Sequence, residues 1–196
     1  MLRVALTGGI ATGKTYVLDR FGAHGAACLD TDRLAHGVMA AGTEASRAIA
    51  TRFGADVLDA NGAVDRRKLA RIVFADDEAR RDLEAIVHPG VWRAVEAALR
   101  GLERAGGTDV AIVEVPLLHE TGRATAFDRV IATVCPPDLQ LARLMARGLA
   151  EPDARARLAA QMPAAEKGRR ADFLIDTGGS LAETDRQVDG IWTRLR

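Results

Sequence analysis

The feature that most constrains this chain is the run Gly8-Gly9-Ile10-Ala11-Thr12-Gly13-Lys14-Thr15, which fits G-x-x-x-x-G-K-S/T. It stands between an apolar stretch, residues 2–6, and the helical Tyr16-Val17-Leu18-Asp19-Arg20-Phe21. Glycines let a backbone curl with its N–H groups pointing inward, and a helix starting there adds the positive end of its dipole. Strand, glycine loop and helix in that order predict a cradle for phosphate oxygens. Gly8, Gly9, Ala11, Thr12, Gly13, Lys14, Thr15 and Tyr16 are the candidate nucleotide-binding residues. Lys14 would act as a point charge on the β/γ-phosphates, and the Thr15 hydroxyl as a ligand of Mg²⁺.

The rest of the chain fits an α/β class around that loop. Short apolar runs at 2–6, 26–29, 110–115, 129–134 and 173–176 lack clean alternation, as strands buried on both faces do. Helical stretches follow each, so the reading is a five-stranded parallel sheet with helices on both faces. The last helix starts at Ser180-Leu181-Ala182-Glu183, a capping-box spacing.

With 196 residues and 48% hydrophobic content, one core of this kind closes without disulfide or metal. Cys28 and Cys135 are therefore expected as free thiols packed as small hydrophobes. No CxxC or HExxH spacing occurs. The 27 basic and 27 acidic residues cancel, which argues against a nucleic-acid binder that lives on counterion release. No apolar run reaches the roughly 18 residues of a membrane span, and no signal-peptide pattern opens the sequence, so a cytoplasmic protein without membrane partners is expected.

From Asp32 to Val110 the chain spends far more residues than a simple crossover needs. This reads as an inserted helical lobe, residues 33–107, between a core of 1–32 and 108–196. Within it, helices are expected at 43–53, 65–74 and 76–87, and another opening after His88-Pro89, since proline suits a first helical turn.

Ala26-Ala27-Cys28-Leu29 runs into Asp30-Thr31-Asp32. If strand geometry persists through Thr31, both acids share a face at the carboxyl edge of the sheet, where α/β proteins bind ligands. One could take a proton from an acceptor hydroxyl and the other hold a metal's water shell. The alternative is that one of them caps the helix near Arg33. Glu114, ending the third apolar strand, is a candidate for holding Mg²⁺ through water. Pro116-Leu117-Leu118-His119-Glu120 leaves the sheet apolar enough to line an organic substrate, with His119 expected as a surface loop residue. Arg143 and Arg147, four apart on one helix face, suit a lid over residues 140–165 that brings positive charge onto a transferring phosphoryl group.

Assembled, these residues resemble the dephospho-coenzyme A kinase family, of the P-loop kinase type. The resemblance runs through Leu6-Thr7-Gly8-Gly9-Ile10, Gly13-Lys14-Thr15, Asp30-Thr31-Asp32, Phe53-Gly54, Asp65-Arg66 with Leu69 and Val73-Phe74, Leu83-Glu84 with His88-Pro89, Pro116-Leu117-Leu118 with Glu120, Gln140 with Arg143 and Arg147, Gln161, and Ala171-Asp172. It implies ATP as phosphoryl donor, Mg²⁺, and transfer to the ribose 3′-hydroxyl of dephospho-CoA by a monomer or weak homo-oligomer. It implies Asp32 as base and Asp30 as a metal or substrate partner. By the same resemblance Arg66, His88, Leu117 and Leu118 lie on the acceptor, Arg143 and Arg147 on the phosphates, and the insertion binds CoA. Departures from the family's usual pattern are Ala11 for Gly, Thr31 for Ala, Glu114 for Asp, His119 for Phe and Thr177 for Asn. A nucleotide-dependent switch reading guanine through N-K-x-D is excluded, because the one Asn is Asn61 in a turn. A nucleoside or nucleoside-monophosphate kinase is the alternative within the enzyme class.

Overall fold

A computed structural model describes the backbone of all 196 residues and every side chain except those of Phe74 and Ala75. The Phe74 side chain in the resemblance thus lies outside the described ones. The chain divides into two compact units, residues 1–29 with 102–196, and residues 30–101.

Five strands, β1 (Leu2–Gly8), β2 (Ala27–Asp30), β3 (Val110–Glu114), β4 (Arg129–Val134) and β5 (Phe173–Asp176), form one sheet in the order β2-β3-β1-β4-β5. β1 pairs in parallel with β3, Leu6 opposite Glu114, and with β4, Gly8 opposite Thr133. The expected parallel α/β architecture is therefore present. β1 is central because both its faces are covered; Val4, Ala5 and Leu6 are fully buried. The order makes the chain move from β1 to one side and later cross to β4 on the other. In open α/β sheets ligands bind at the carboxyl edge beside such a reversal, which makes the end of β1 the candidate site.

Side chains on one sheet face, Val4, Leu6, Ile112, Ile131 and Ile175, pack with Val17, Leu18 and Phe21 of α1 (Lys14–Ala23) and with Val188 and Ile191 of the C-terminal helix, Leu181–Leu195. That last helix carries the expected capping box between Ser180 and Glu183. On the alternate face a short helix, Ala164–Arg169, lies against β1 and β4. No helix among the described residues is long and apolar enough to cross a membrane.

Three helices of the second unit begin at side-chain caps. α2 (Thr31–Val38) is capped by Asp30, α3 (Glu44–Phe53) by Thr43, and α4 (Arg66–Ala75) by Asp65. α5 (Asp77–Ala105) corrects an expectation: it is one helix of 29 residues with Pro89 in its interior, not a new helix opening there. Proline has no N–H for the carbonyl of Ala85, which costs a helix bond. Packing accounts for its survival, because a Cβ on the next residue, Gly90, would lie 2.7 Å from Cγ1 of Val38. The bare glycine lets α2 and α5 touch, and that burial holds the helix through the missing bond.

A second correction concerns cysteine. Both are free thiols, but only Cys135 is buried, while Cys28 is exposed. β2 is an edge strand, so one flank of Cys28 lacks a neighbouring strand. Partial burial still pushes its thiol up to about 11.

Candidate active site

β1 ends at Gly8 and α1 begins at Lys14, so residues 8–14 form the loop that the sequence pattern requires. Gly8 has φ +154°, and a Cβ there would come within 2.6 Å of the Thr133 carbonyl oxygen. Only glycine fits where the loop turns off the sheet against β4. Ala11 adopts φ 60°, alone among the described non-glycine residues in having a positive φ. The left-handed conformation costs a residue with a Cβ roughly 1–2 kcal/mol, and here the methyl is buried in a cluster with Leu144 and Ala154.

No side chain caps α1 at Gly13, in contrast to α2, α3 and α4. Its first N–H groups have no side-chain cap, and with the dipole they favour an anion. The Lys14 ammonium lies along the loop, donating to the carbonyl of Gly9 at 3.0 Å and of Gly8 at 3.4 Å. Thr15 is exposed in the first turn of α1. Tyr16 turns away: its hydroxyl donates to Asp185 at 2.8 Å, and this bond raises its pKa. Any part Tyr16 takes in binding is therefore through its backbone.

Long-range contacts fix the loop's shape. Thr12, fully buried, donates to the Gly9 carbonyl at 2.8 Å and so accepts from the Thr133 hydroxyl at 2.7 Å. Gln140, on α6 (Pro137–Ala146), donates to the Ile10 carbonyl at 2.6 Å. Gln161, beyond α7 (Glu151–Ala159), accepts from the Ile10 N–H at 3.0 Å. Arg143 donates to the Ala11 carbonyl at 3.2 Å and to the Thr177 carbonyl at 2.7 Å. Thr177 in turn donates to the Thr12 carbonyl at 2.8 Å. Arg143 is thereby a clamp on the loop wall. Arg147, exposed, caps the carboxyl end of α6 just before Gly148 turns the chain toward α7. The two arginines of one helix thus have different surroundings.

Asp30 and Asp32 do not share a strand face. β2 stops at Asp30, whose Oδ1 accepts from the N–H groups of Asp32 at 2.8 Å and Arg33 at 3.2 Å. The cap starts α2 at Thr31 and puts Asp32 in the first helical turn, where residues two apart point in different directions. Strand geometry fails there because Asp30 satisfies helix N–H groups that a strand would have paired otherwise. Arg66 opens α4 and is exposed, and His88 is half-buried within α5.

Glu114 ends β3 and is 6% exposed. Leu118 is fully buried, so it packs the core and cannot line a substrate in this arrangement, whereas Leu117 is half-buried. His119 is not a plain surface residue: its Nε2 is buried with no hydrogen-bond partner among the described residues, and burial followed by the nearby Arg170 lowers its pKa. Among the described residues no group of three or more His, Cys, Asp or Glu is placed to hold a metal ion.

Sequence reasoning gave no role to Lys167. It is fully buried, 2.8 Å from Glu120 and 2.6 Å from the Pro116 carbonyl. Its signal was its rarity, since the chain has only three lysines, at 14, 68 and 167. Burial acts to raise the Glu120 carboxyl, but the Lys167 ammonium and backbone N–H groups outweigh it and hold that pKa below the usual value.

Comparisons with known proteins bear on the family and the fold. The dephospho-CoA kinase family model matches residues 2–183. The dephospho-CoA kinase of Cutibacterium acnes is 42% identical over 196 residues, spanning 100% of this chain and 85% of that protein. Among solved structures, a protein of Thermus thermophilus superposes with TM-score 0.78 at 32% identity, over 100% of this chain and 98% of that one. The dephospho-CoA kinase of Campylobacter jejuni gives TM-score 0.74 at 27% identity, over 98% and 96% of the two chains. On a match that spans nearly its whole length, the chain belongs to the dephospho-CoA kinase family.

Proposed function

We propose that the protein transfers the γ-phosphoryl group of ATP to the ribose 3′-hydroxyl of dephospho-CoA, giving coenzyme A and ADP. The observation that carries this is the loop of residues 8–14, braced at its carbonyls by Gln140, Arg143 and Thr177 and at the Ile10 N–H by Gln161, with Lys14 lying along it, in a chain of this family. Fixed donors of this kind need no reorganisation as charge shifts between phosphoryl oxygens.

In the reaction the 3′-hydroxyl oxygen forms a bond to the γ-phosphorus, the bond from that phosphorus to the β,γ-bridging oxygen breaks, and the electron pair leaves with ADP. The hydroxyl proton goes to Asp32. The position of Asp32 just past the end of β2 supports this assignment, since α/β proteins bind their ligands at the carboxyl ends of strands. Asp30 serves chiefly as the cap that orients Asp32. Lys14 neutralises the β/γ-phosphates, and Arg147 adds positive charge from the α6–α7 turn. The lid of residues 140–165 is anchored on the loop at Gln140, Arg143 and Gln161, so its movement belongs to the part between Arg143 and Gln161.

The donors Thr15 and Glu114 are hard oxygens, which suit Mg²⁺; that ion usually takes only one or two protein ligands beside substrate phosphates and water. When bound it offsets charge on the phosphate oxygens. Residues 33–107 are assigned to CoA, with Arg66 and His88 on the acceptor, and Leu117 lines it from the turn after β3. The protein works without nucleic acid or membrane, in the cytoplasm, as a monomer or weak homo-oligomer.

The test is ADP formation from ATP against dephospho-CoA, AMP, CMP, shikimate and nucleosides, with Lys14→Ala as control. Dephospho-CoA should exceed every other acceptor in kcat/KM by about 100-fold or more, the margin available when a site pairs acceptor polar groups, and Lys14→Ala should abolish turnover. Equal or faster turnover of a nucleoside or nucleoside monophosphate would overturn the assignment.

A further inference from the structure

Lys167 and Glu120 sit where three segments meet. The Lys167 ammonium donates to the Pro116 carbonyl at 2.6 Å, and the same oxygen accepts from the Thr7 hydroxyl at 3.4 Å, one residue before the phosphate loop. Glu120 pairs with Lys167 at 2.8 Å and accepts from the Met162 N–H at 3.2 Å. Met162 follows Gln161, whose side chain holds the Ile10 N–H at the loop's tip. The turn that carries Leu117 is therefore tied to the phosphate loop at its entry, through Pro116 and Thr7, and at its tip, through Glu120, Met162 and Gln161.

Stability alone is a poor account of such a pair. Taking an ammonium wholly out of water costs as much as its partner returns, and an apolar pair of similar size is often at least as stable. What the charged pair supplies is direction, since the ammonium must meet two fixed oxygens at once. We propose that Lys167 and Glu120 are positioning residues that couple the two substrate sites: they register the 116–121 turn on the phosphate loop, so that nucleotide binding sets the turn for the acceptor. This rests on the reading that Leu117 faces the acceptor.

A measurement on the wild-type protein tests the coupling without any acceptor. The N–H groups of Thr121, Gly122 and Arg123 bond within the turn, to Leu117, His119 and Leu118, and so report its order through hydrogen exchange. A non-hydrolysable ATP analogue alone should slow exchange at these amides and at Met162 by about 10-fold, as expected when a local opening becomes less populated. Protection confined to the phosphate loop and α1 would overturn the proposal. The acceptor panel decides separately whether dephospho-CoA is the substrate, and this exchange result does not depend on it.

Variants give the kinetic counterpart. Lys167→Met, and the neutral pair Lys167→Met with Glu120→Gln, should raise KM for dephospho-CoA about 10-fold and lower kcat 10- to 100-fold, as a turn misplaced by an ångström does. The Kd of the ATP analogue measured alone should stay within about 3-fold, because Gln140, Arg143 and Thr133 still shape the loop. A lower Tm with kcat and both KM values unchanged, read well below that Tm, would show a purely structural pair and sink the idea. Should neither variant fold, the exchange experiment on the wild-type protein decides alone.

Discussion

Arg143 donates to the Thr177 carbonyl at 2.7 Å and to the Thr177 hydroxyl at 3.2 Å, across 34 residues of sequence. A third bond from the same guanidinium reaches the Ala11 carbonyl. Because a planar fork meets two acceptors that a single ammonium cannot span, Arg143→Lys should lose part of the clamp while keeping the charge. Nucleotide affinity should fall about 10-fold and stability by about 1.5–3 kcal/mol, the worth of bonds from a charged donor. Titration with an ATP analogue and thermal melting check both, and unchanged affinity would mean that the arginine does not set the loop's shape.

Asp30 and Asp32 should separate cleanly. Asp30→Ala removes the cap of α2 and should cost about 0.5–2 kcal/mol of stability, while Asp30→Asn should be nearly neutral in stability because asparagine caps as well. Asp32→Asn should leave Tm and nucleotide affinity close to wild type and lower kcat by about 10²–10⁴-fold, the usual worth of a general base. Wild-type turnover in Asp32→Asn would remove the base from this residue.

His119 carries a buried ring nitrogen without a partner among the described residues. Removing an unsatisfied buried polar atom recovers about 1–3 kcal/mol, so His119→Phe should raise Tm if the larger ring is accommodated. A pH scan gives a second readout. The folded-state pKa is lowered from 6.5, so the unfolded chain binds more protons and stability falls as pH drops below 6.5 toward the folded value. His119→Phe should lack that slope, and a variant that is less stable with the slope intact would refute the account.

Glu120 acts in a more acidic window. Its folded pKa lies below the usual 4.5, so its contribution is fully present above that value and is lost as pH falls through the folded pKa. Asp65 and Glu183 are lowered as well and titrate nearby. The stability difference between wild type and Glu120→Gln, followed by melting from pH 7 to pH 3, isolates the one carboxyl. The difference should be constant above about pH 5 and shrink below pH 4.5; a difference independent of pH would contradict the ion pair.

The sequence by itself determined what depends on neighbours in the chain. The phosphate loop needs glycine at Gly8 and a helix starting at Lys14, and both requirements act within a few residues, so the pattern was readable at once. The capping box at Ser180 and Glu183 and the buried apolar strands were legible for the same reason. Tertiary structure decided wherever a residue had two local uses. Asp30 could extend a strand or cap a helix, and the cap prevailed. Pro89 could start a helix or interrupt one, and contact between Val38 and Gly90 holds the helix through it. Arg143, Gln140, Gln161 and Lys167 find partners far along the chain, 132 residues away for the bond from Arg143 to Ala11. A side chain's partner at that range is chosen by how strands and helices pack, and no local pattern encodes it.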